Sequence, residues 1–206
     1  MDAKKGHWER VYETKATDAV SWFQPRAERS LRLIRETGQG LDAAILDVGG
    51  GASRLVDDLL TEGYKHLSVL DLSAAALAAA QHRLAAQAQQ VHWIEADVTQ
   101  AQLAPQSLDI WHDRAVFHFL TDAADRAAYL KILSAALKPG GFVIIATFAP
   151  DGPTQCSGLP VVRYSPEQLQ DVFGEHFTRL SHEYEAHSTP FGTTQHFVYC
   201  CFQFKK

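Results

Sequence analysis

Five apolar runs of strand length recur along the chain: Ala44-Ile-Leu-Asp-Val48, His66-Leu-Ser-Val-Leu70, Val91-His-Trp-Ile94, Leu108-Asp-Ile-Trp111 and Phe142-Val-Ile-Ile-Ala-Thr-Phe148. They are nearly solid rather than alternating, as strands are when both sheet faces are covered. Between them the apolar positions fall at helical spacing. Leu55, Val56, Leu59 and Leu60 share one helix face that Gly63 terminates. Ser73 stands as N-cap of an alanine-rich helix over Ala74–Ala88. Leu130, Leu133 and Leu137 mark a third helix, ended by Lys138-Pro-Gly-Gly141. Strands alternating with helices predict an α/β fold, a doubly wound and mostly parallel sheet with helices on both faces.

The two ends differ from this rhythm. Ser165-Pro-Glu-Gln168 is a helix start, with a capping hydroxyl, proline in the first turn and a glutamine placed to close the box. His176–Ser188 and Gln195–Phe204 then read as two strands joined through residues 189–194, an antiparallel hairpin ending the parallel sheet. Residues 5–39 read as helical and carry Trp8, Tyr12, Trp22 and Phe23 before any strand. The predicted organisation is one domain, a helical cap over 1–40 on a Rossmann-like core over 41–206.

Composition narrows the function. The 206 residues are 46% hydrophobic and 21% charged, which excludes a largely disordered chain. Nineteen basic against twenty-four acidic residues leave a net charge of −5, so no nucleic-acid partner is expected. No stretch reaches the ~20 apolar residues of a membrane helix. No apolar run follows the early lysines, so no secretory signal is expected and the cytoplasm is the expected location. Cys156, Cys200 and Cys201 form no spaced disulfide framework. Adjacent Cys200 and Cys201 on a strand point to opposite faces and cannot readily share one ion, so no metal is expected.

The chemistry concentrates after the first strand. Asp47-Val-Gly49-Gly50-Gly51 takes a buried strand into a helix through three glycines, which permit a tight turn and close backbone approach. No Gly-Lys-Ser/Thr follows, so it is not a phosphate-binding loop. Arg54 stands where a dinucleotide fingerprint has its third glycine, and Asp47 would repel phosphate while attracting an ammonium or sulfonium. Asp71, with Leu72 beside it, ends the second strand about twenty residues on, where a carboxylate accepts from both ribose hydroxyls; it also suits the cap region of the next helix. Asp97 and Val98 follow the third strand, the acid suited to an exocyclic amine and the valine to a ring face. Three acids at three consecutive strand ends beside one glycine turn describe a nucleoside site.

From Ile45 onward the chain resembles the class I S-adenosylmethionine-dependent methyltransferases. Asp47-x-Gly49-x-Gly51 is similar to their first motif, Asp71 to the ribose acid and Asp97-Val98 to the adenine pair. Leu108-Asp-Ile-Trp-His-Asp113 resembles their fourth motif, and Leu137-Lys-Pro-Gly-Gly141 the turn before their fifth strand. The resemblance implies a seven-stranded sheet and S-adenosyl-L-methionine as cofactor, with S-adenosyl-L-homocysteine as product. It also implies in-line methyl transfer, in which alignment and exclusion of water matter more than acid–base chemistry.

Asp113 is expected nearest the methyl group, as an acceptor-orienting carboxylate or a contact to the methionine amino group; it reads equally as a helix cap. His112 and His118 are the candidate bases, against a packing role for each. Trp8, Tyr12, Trp22 and Phe23 are expected to form a lid over the cofactor or, alternatively, to pack as an amphipathic helix on the sheet. Part of the acceptor pocket is expected on residues 151–160. His7-Trp-Glu-Arg-Val-Tyr12, Ser21-Trp-Phe23 and Asp113-Arg114 resemble a branch holding small lysine methyltransferases of translation factors and, more distantly, thiol methyltransferases. In the lysine enzymes the fourth motif reads Asp-Lys-Gly-Thr, where this chain has Asp113-Arg114-Ala115-Val116. A small-molecule acceptor is therefore the first expectation, a protein lysine the second, and a non-catalytic cofactor-binding protein the third.

Overall fold

A computed structural model describes residues 2–205. Two helices, α1 (Asp2–Thr14) and α2 (Glu28–Glu36), precede the first strand, and an irregular segment separates them. The parallel part alternates β1 (Ala44–Val48), α3 (Leu55–Glu62), β2 (His66–Asp71), α4 (Ala74–Leu84), β3 (Val91–Glu95), β4 (Leu108–Arg114), α5 (Ala123–Ala136) and β5 (Leu137–Phe148). A two-stranded hairpin follows, β6 (Gln155–Cys156) and β7 (Leu159–Pro160), then α6 (Pro166–Phe173), β8 (Phe177–Ser188) and β9 (Thr194–Phe204). Seven strands form one sheet in the order β3-β2-β1-β4-β5-β9-β8. All neighbours are parallel except β9, which runs antiparallel to both β5 and β8.

The solid apolar strands follow from two cores. Ile45, Val69, Ile110 and Ile144 face α2, α3 and α4, packing with Leu31, Ile34, Leu55, Leu59 and Leu77. Their sequence neighbours Leu46, Leu70, Trp111 and Ile145 face the other way, onto Tyr129 and Leu133 of α5 and Leu169 and Phe173 of α6. Each buried aliphatic or aromatic side chain contributes about 1.5–3 kcal/mol of transfer free energy, so neither face of these strands tolerates polar residues cheaply. Cys201 packs in the first core and Cys200 in the second. No helix among the described residues is long and apolar enough to cross a membrane.

Three elements differ from the sequence pattern. The alanine-rich helix stops at Leu84, where Ala85 takes φ 51°, and residues 85–90 continue as a 3₁₀ turn. Helix propensity yields there to the turn that brings Val91 into β3. Leu137 is the first residue of β5 rather than the last of the helix, because it is fully buried opposite Leu108 in the sheet register. β4 runs on to Arg114, since Asp113 and Arg114 still pair with Ile145 and Ala146. Only a 3₁₀ turn, Phe117–Phe119, follows it, where the sequence suggested the first turn of a helix.

Candidate active site

The turn after β1 is packed by the chain's own carboxylates. Gly49 has φ 66° and donates its N–H to Leu70 O at 2.7 Å. A Cβ there would lie 2.1 Å from Val116 Cγ2, one on Gly50 2.3 Å from Asp47 Oδ2, and one on Gly51 2.4 Å from Asp71 Oδ2. The sequence had suggested that glycines clear the way for a ligand. In the structure a side chain would first strike the two acids that the turn draws in.

Asp71 is buried and doubly held: Oδ2 accepts from Gly51 N (3.0 Å) and Oδ1 from Ser73 N (2.9 Å). Burial is the largest influence on its acidity and, aided by the nearby Asp47, outweighs these bonds, raising its pKa to about 6. Asp47 is buried in front of His112, whose Nδ1 lies 2.7 Å from Oδ1; Oδ2 has no partner. Asp97 accepts from both Thr99 N and Thr99 Oγ1 at a single oxygen, Oδ1.

Two lobes of one cleft meet at Val48, Gly49, Tyr12, Trp22 and Arg114. The first lobe runs past Leu70, Asp71 and Leu72 to Ala96, Asp97 and Val98. The second runs past Asp47 and Gly50 to Ser53, Arg54, Thr17 and Phe23. The structure thus brings Asp47, Gly49, Gly50, Asp71, Leu72, Asp97, Val98 and Trp22 to one cleft, with Gly51 buried behind Asp71.

The first lobe is roofed by aromatic rings. Trp8 packs on Trp22 and on Phe119 at centroid distances of 5.7 and 5.2 Å, and Tyr12 packs on Trp22 at 6.3 Å. Phe23 is not part of this group; it lies in the second lobe with Arg54 over its ring at 5.9 Å. Arg114 holds the roof from below: Nη1 donates to Trp22 O (3.0 Å), Nε donates to Tyr199 OH (2.8 Å), and the guanidinium stacks on Phe197. Residues 151–160 contribute Cys156 to the lining, and burial pushes its thiol up to about 11.

α1 reaches its place over the cleft through Glu9. Its carboxylate accepts from Ser73 Oγ (2.9 Å), Ala74 N (2.9 Å) and Ala75 N (3.0 Å), so it caps the N terminus of α4 from another helix. Partial burial acts to raise its pKa, but the bonds from Ala75, Ala74 and Ser73 prevail and lower it. Lys4 adds an ion pair to Asp125, and His7 Nε2 lies 3.3 Å from Ser157 Oγ. Exposed ion pairs contribute only about 0–1 kcal/mol, so Glu9 is the principal polar anchor, beside the packing of Trp8 and Tyr12. In Glu9→Ala, amide exchange over α1 should quicken roughly tenfold, the loss of a cap worth about 1–2 kcal/mol. Unchanged exchange would leave the roof anchored by other contacts.

Of the three groups named as catalytic candidates, Asp113 and His118 are set back from the cleft and His112 reaches the wall of the second lobe. Asp113, expected nearest the methyl group, is fully buried on the opposite face of β4. Its carboxylate accepts from Val116 N (2.9 Å), Phe117 N (3.2 Å) and Tyr129 OH (2.8 Å). The strand alternation that turns Arg114 toward the cleft turns Asp113 away from it. His118 is fully buried against Phe119 and Phe148, and Phe148 N donates to its Nδ1 at 3.4 Å. Burial first, and then Arg114, press its pKa down to about 3, so it stays neutral. His112 is tied at both nitrogens, to Asp47 and to Ser30 Oγ at 2.8 Å. Sequence reasoning missed Ser30 and Phe119; Glu9 and Arg114 were quoted within motif resemblances, with no role at the cleft.

A family model described as a methyltransferase domain matches residues 45–141, from β1 into β5. No curated protein sequence matches the chain. Among solved structures, one from work on converting a disulfide bond into a thioacetal group during echinomycin biosynthesis aligns with TM-score 0.77 and 19% identity, covering 96% of this chain and 90% of the other. The 1,6-didemethyltoxoflavin-N1-methyltransferase of Burkholderia thailandensis, with bound 1,6-didemethyltoxoflavin and S-adenosylhomocysteine, aligns with TM-score 0.70 and 19% identity over 100% and 85%. The N-methyltransferase NodS of Bradyrhizobium japonicum WM9, in complex with S-adenosyl-L-homocysteine, aligns with TM-score 0.71 and 17% identity over 97% and 100%.

A seven-stranded sheet with one antiparallel insertion is the fold shared with these methyltransferase structures. With the methyltransferase-domain match over residues 45–141, the core of the chain is similar in sequence as well as in fold to the S-adenosylmethionine-dependent methyltransferases.

Proposed function

We propose that the protein transfers the methyl group of S-adenosylmethionine to a small molecule that brings its own lone pair. The residues present fit the cofactor. Asp47 Oδ2, buried without a partner, suits the methionyl ammonium. Asp71 suits the ribose hydroxyls, and Asp97 with Val98 suits the adenine, with Leu72 against its ring. When bound, the cofactor supplies a methyl group on a sulfonium, already activated for displacement. The protein's part is to align the acceptor, exclude water and stabilise positive charge. Trp8, Tyr12, Trp22 and Phe119 do the last two together, since aromatic faces attract cations more strongly once desolvated.

One observation carries the acceptor class: apart from the three acids assigned to the cofactor, the proton-accepting groups near the cleft are already committed. Asp113 accepts from three protein donors, and His112 is held at both nitrogens. His118 is enclosed by rings, and burial keeps the Cys156 thiol and the Tyr12 hydroxyl protonated. A sulfur nucleophile or an unprotonated amine needs no base, whereas an aliphatic alcohol or carbon acid does. The roof favours a small molecule, because α1 lies across the first lobe. The N-methyltransferase names of two similar structures fit the same class.

Incubating the protein with methyl-labelled cofactor and panels of thiols, thioethers, amines, phenols and alcohols tests the reading. Label is expected in a sulfur or amine product of low mass. Label retained on a protein band from host lysate would favour the lysine alternative instead, and turnover confined to alcohols would overturn the acceptor class.

A further inference from the structure

Behind the glycine turn lies a chain of three polar side chains, of which only Asp47 has a place in the proposed reaction. Ser30 on α2, His112 on β4 and Asp47 on β1 are 1%, 2% and 4% exposed. Ser30 Oγ lies 2.8 Å from His112 Nε2, and His112 Nδ1 lies 2.7 Å from Asp47 Oδ1. The backbone sets this up: Asp47 and His112 are directly paired in the parallel register of β1 and β4, with both side chains on the face that α2 covers. By residue type the trio matches a hydrolytic triad. The atom left without a partner, however, is Asp47 Oδ2, not the serine hydroxyl. The acid, and not the serine, therefore awaits a donor from outside the chain.

Leaving a buried carboxylate oxygen unpaired is costly, and such groups in folded proteins nearly always find a partner. Oδ2 faces Gly50, where a Cβ would stand 2.3 Å away, and Asp47 lines the second lobe. With both imidazole nitrogens engaged the ring cannot turn, and Nδ1–H fixes which carboxylate oxygen stays free. We propose that Ser30 and His112 are positioning residues for the methyl donor. They hold Asp47 with Oδ2 presented to the ammonium of its amino-acid end. This rests on the methyl-donor reading above. It also makes α2, in the N-terminal segment that sequence reading treated as cap, part of the donor site.

Calorimetry with two compounds separates positioning from folding. S-adenosylhomocysteine carries the amino-acid end, whereas 5′-methylthioadenosine keeps the nucleoside and thioether but lacks it. In His112→Leu, affinity for S-adenosylhomocysteine should fall roughly 10- to 100-fold, the effect of a charge-assisted contact. Ser30→Ala, a milder change in the core, should cost a few-fold. His112→Asn, whose amide can still donate to Asp47, should recover most of the loss. Affinity for 5′-methylthioadenosine should stay within about twofold in all three. Equal losses for both compounds would make the trio a structural support only, and no loss for either would remove its role altogether; both overturn the proposal. Failure of both compounds to bind the wild-type protein would overturn the methyl-donor reading and this proposal with it.

Discussion

Replacing Asp71 by alanine should weaken binding of S-adenosylhomocysteine by about 100- to 1,000-fold. Two hydroxyl donors on one buried carboxylate contribute about 1.5–2 kcal/mol each, and about 1.4 kcal/mol is a factor of ten. The acid also pins the glycine turn through Gly51 N, so part of the loss comes through a loosened turn. The wild type should show the same group by its pH dependence. A carboxylate accepts from both hydroxyls only when ionised, and burial, partly offset by the Ser73 and Gly51 bonds, places its pKa at about 6. Affinity should therefore be full near pH 8 and fall as pH drops through 6. Calorimetry of both proteins between pH 5 and 8 measures it. A flat profile in the wild type, with Asp71→Ala binding normally, would take the ribose role away from this residue.

Asp113→Ala should do the opposite: unfold the protein more readily while leaving cofactor affinity within about twofold. The substitution strands the N–H groups of Val116 and Phe117 and the hydroxyl of Tyr129, which itself accepts from Trp111 Nε1 at 2.7 Å. Unpaired buried donors cost about 1–3 kcal/mol each, so a loss of at least about 3 kcal/mol is expected. Burial, opposed by the Val116 and Tyr129 bonds, raises the Asp113 pKa from 3.8 to about 6. A raised acid pKa means that the folded state holds the proton more tightly. The stabilisation from that proton is complete below about pH 4 and is lost as pH rises through 6. The gap between wild type and variant should accordingly be widest in acid and narrow toward pH 8. Urea unfolding at pH 4.5 and 7.5 gives both values. A variant as stable as the wild type but unable to bind or turn over cofactor would return Asp113 to the cleft.

These two acids mark what was and was not legible in the chain. Local patterns carried the fold: solid apolar runs gave the strands, Ser73 and Ser165 gave two helix starts, and both serines cap as their spacing suggests. Asp47, Asp71 and Asp97 were singled out because each lies at or just past the carboxyl end of a strand, a position that sequence alone marks. Asp113 shares that position, and its type gives no hint that its side chain turns into the opposite core. That depends on which face of β4 the preceding Trp111 occupies, a question of packing. The role of Glu9 was invisible because its partners lie more than sixty residues away, on a helix start that already had its own cap in Ser73. Ser30 was hidden likewise, since its meeting with His112 requires α2 to lie over β1 and β4. The break at Ala85 has no sequence signal, because alanine carries a Cβ that disfavours positive φ and is the residue most suited to continuing the helix.

The central claim is that carboxylates around the glycine turn select an adenosyl thioether over a phosphorylated nucleotide. Isothermal titration of the wild-type protein with S-adenosylhomocysteine, alone and with excess NAD, tests it directly. One site per chain, unaffected by NAD, is the expected result. Binding of NAD in that site, with S-adenosylhomocysteine excluded, would contradict it.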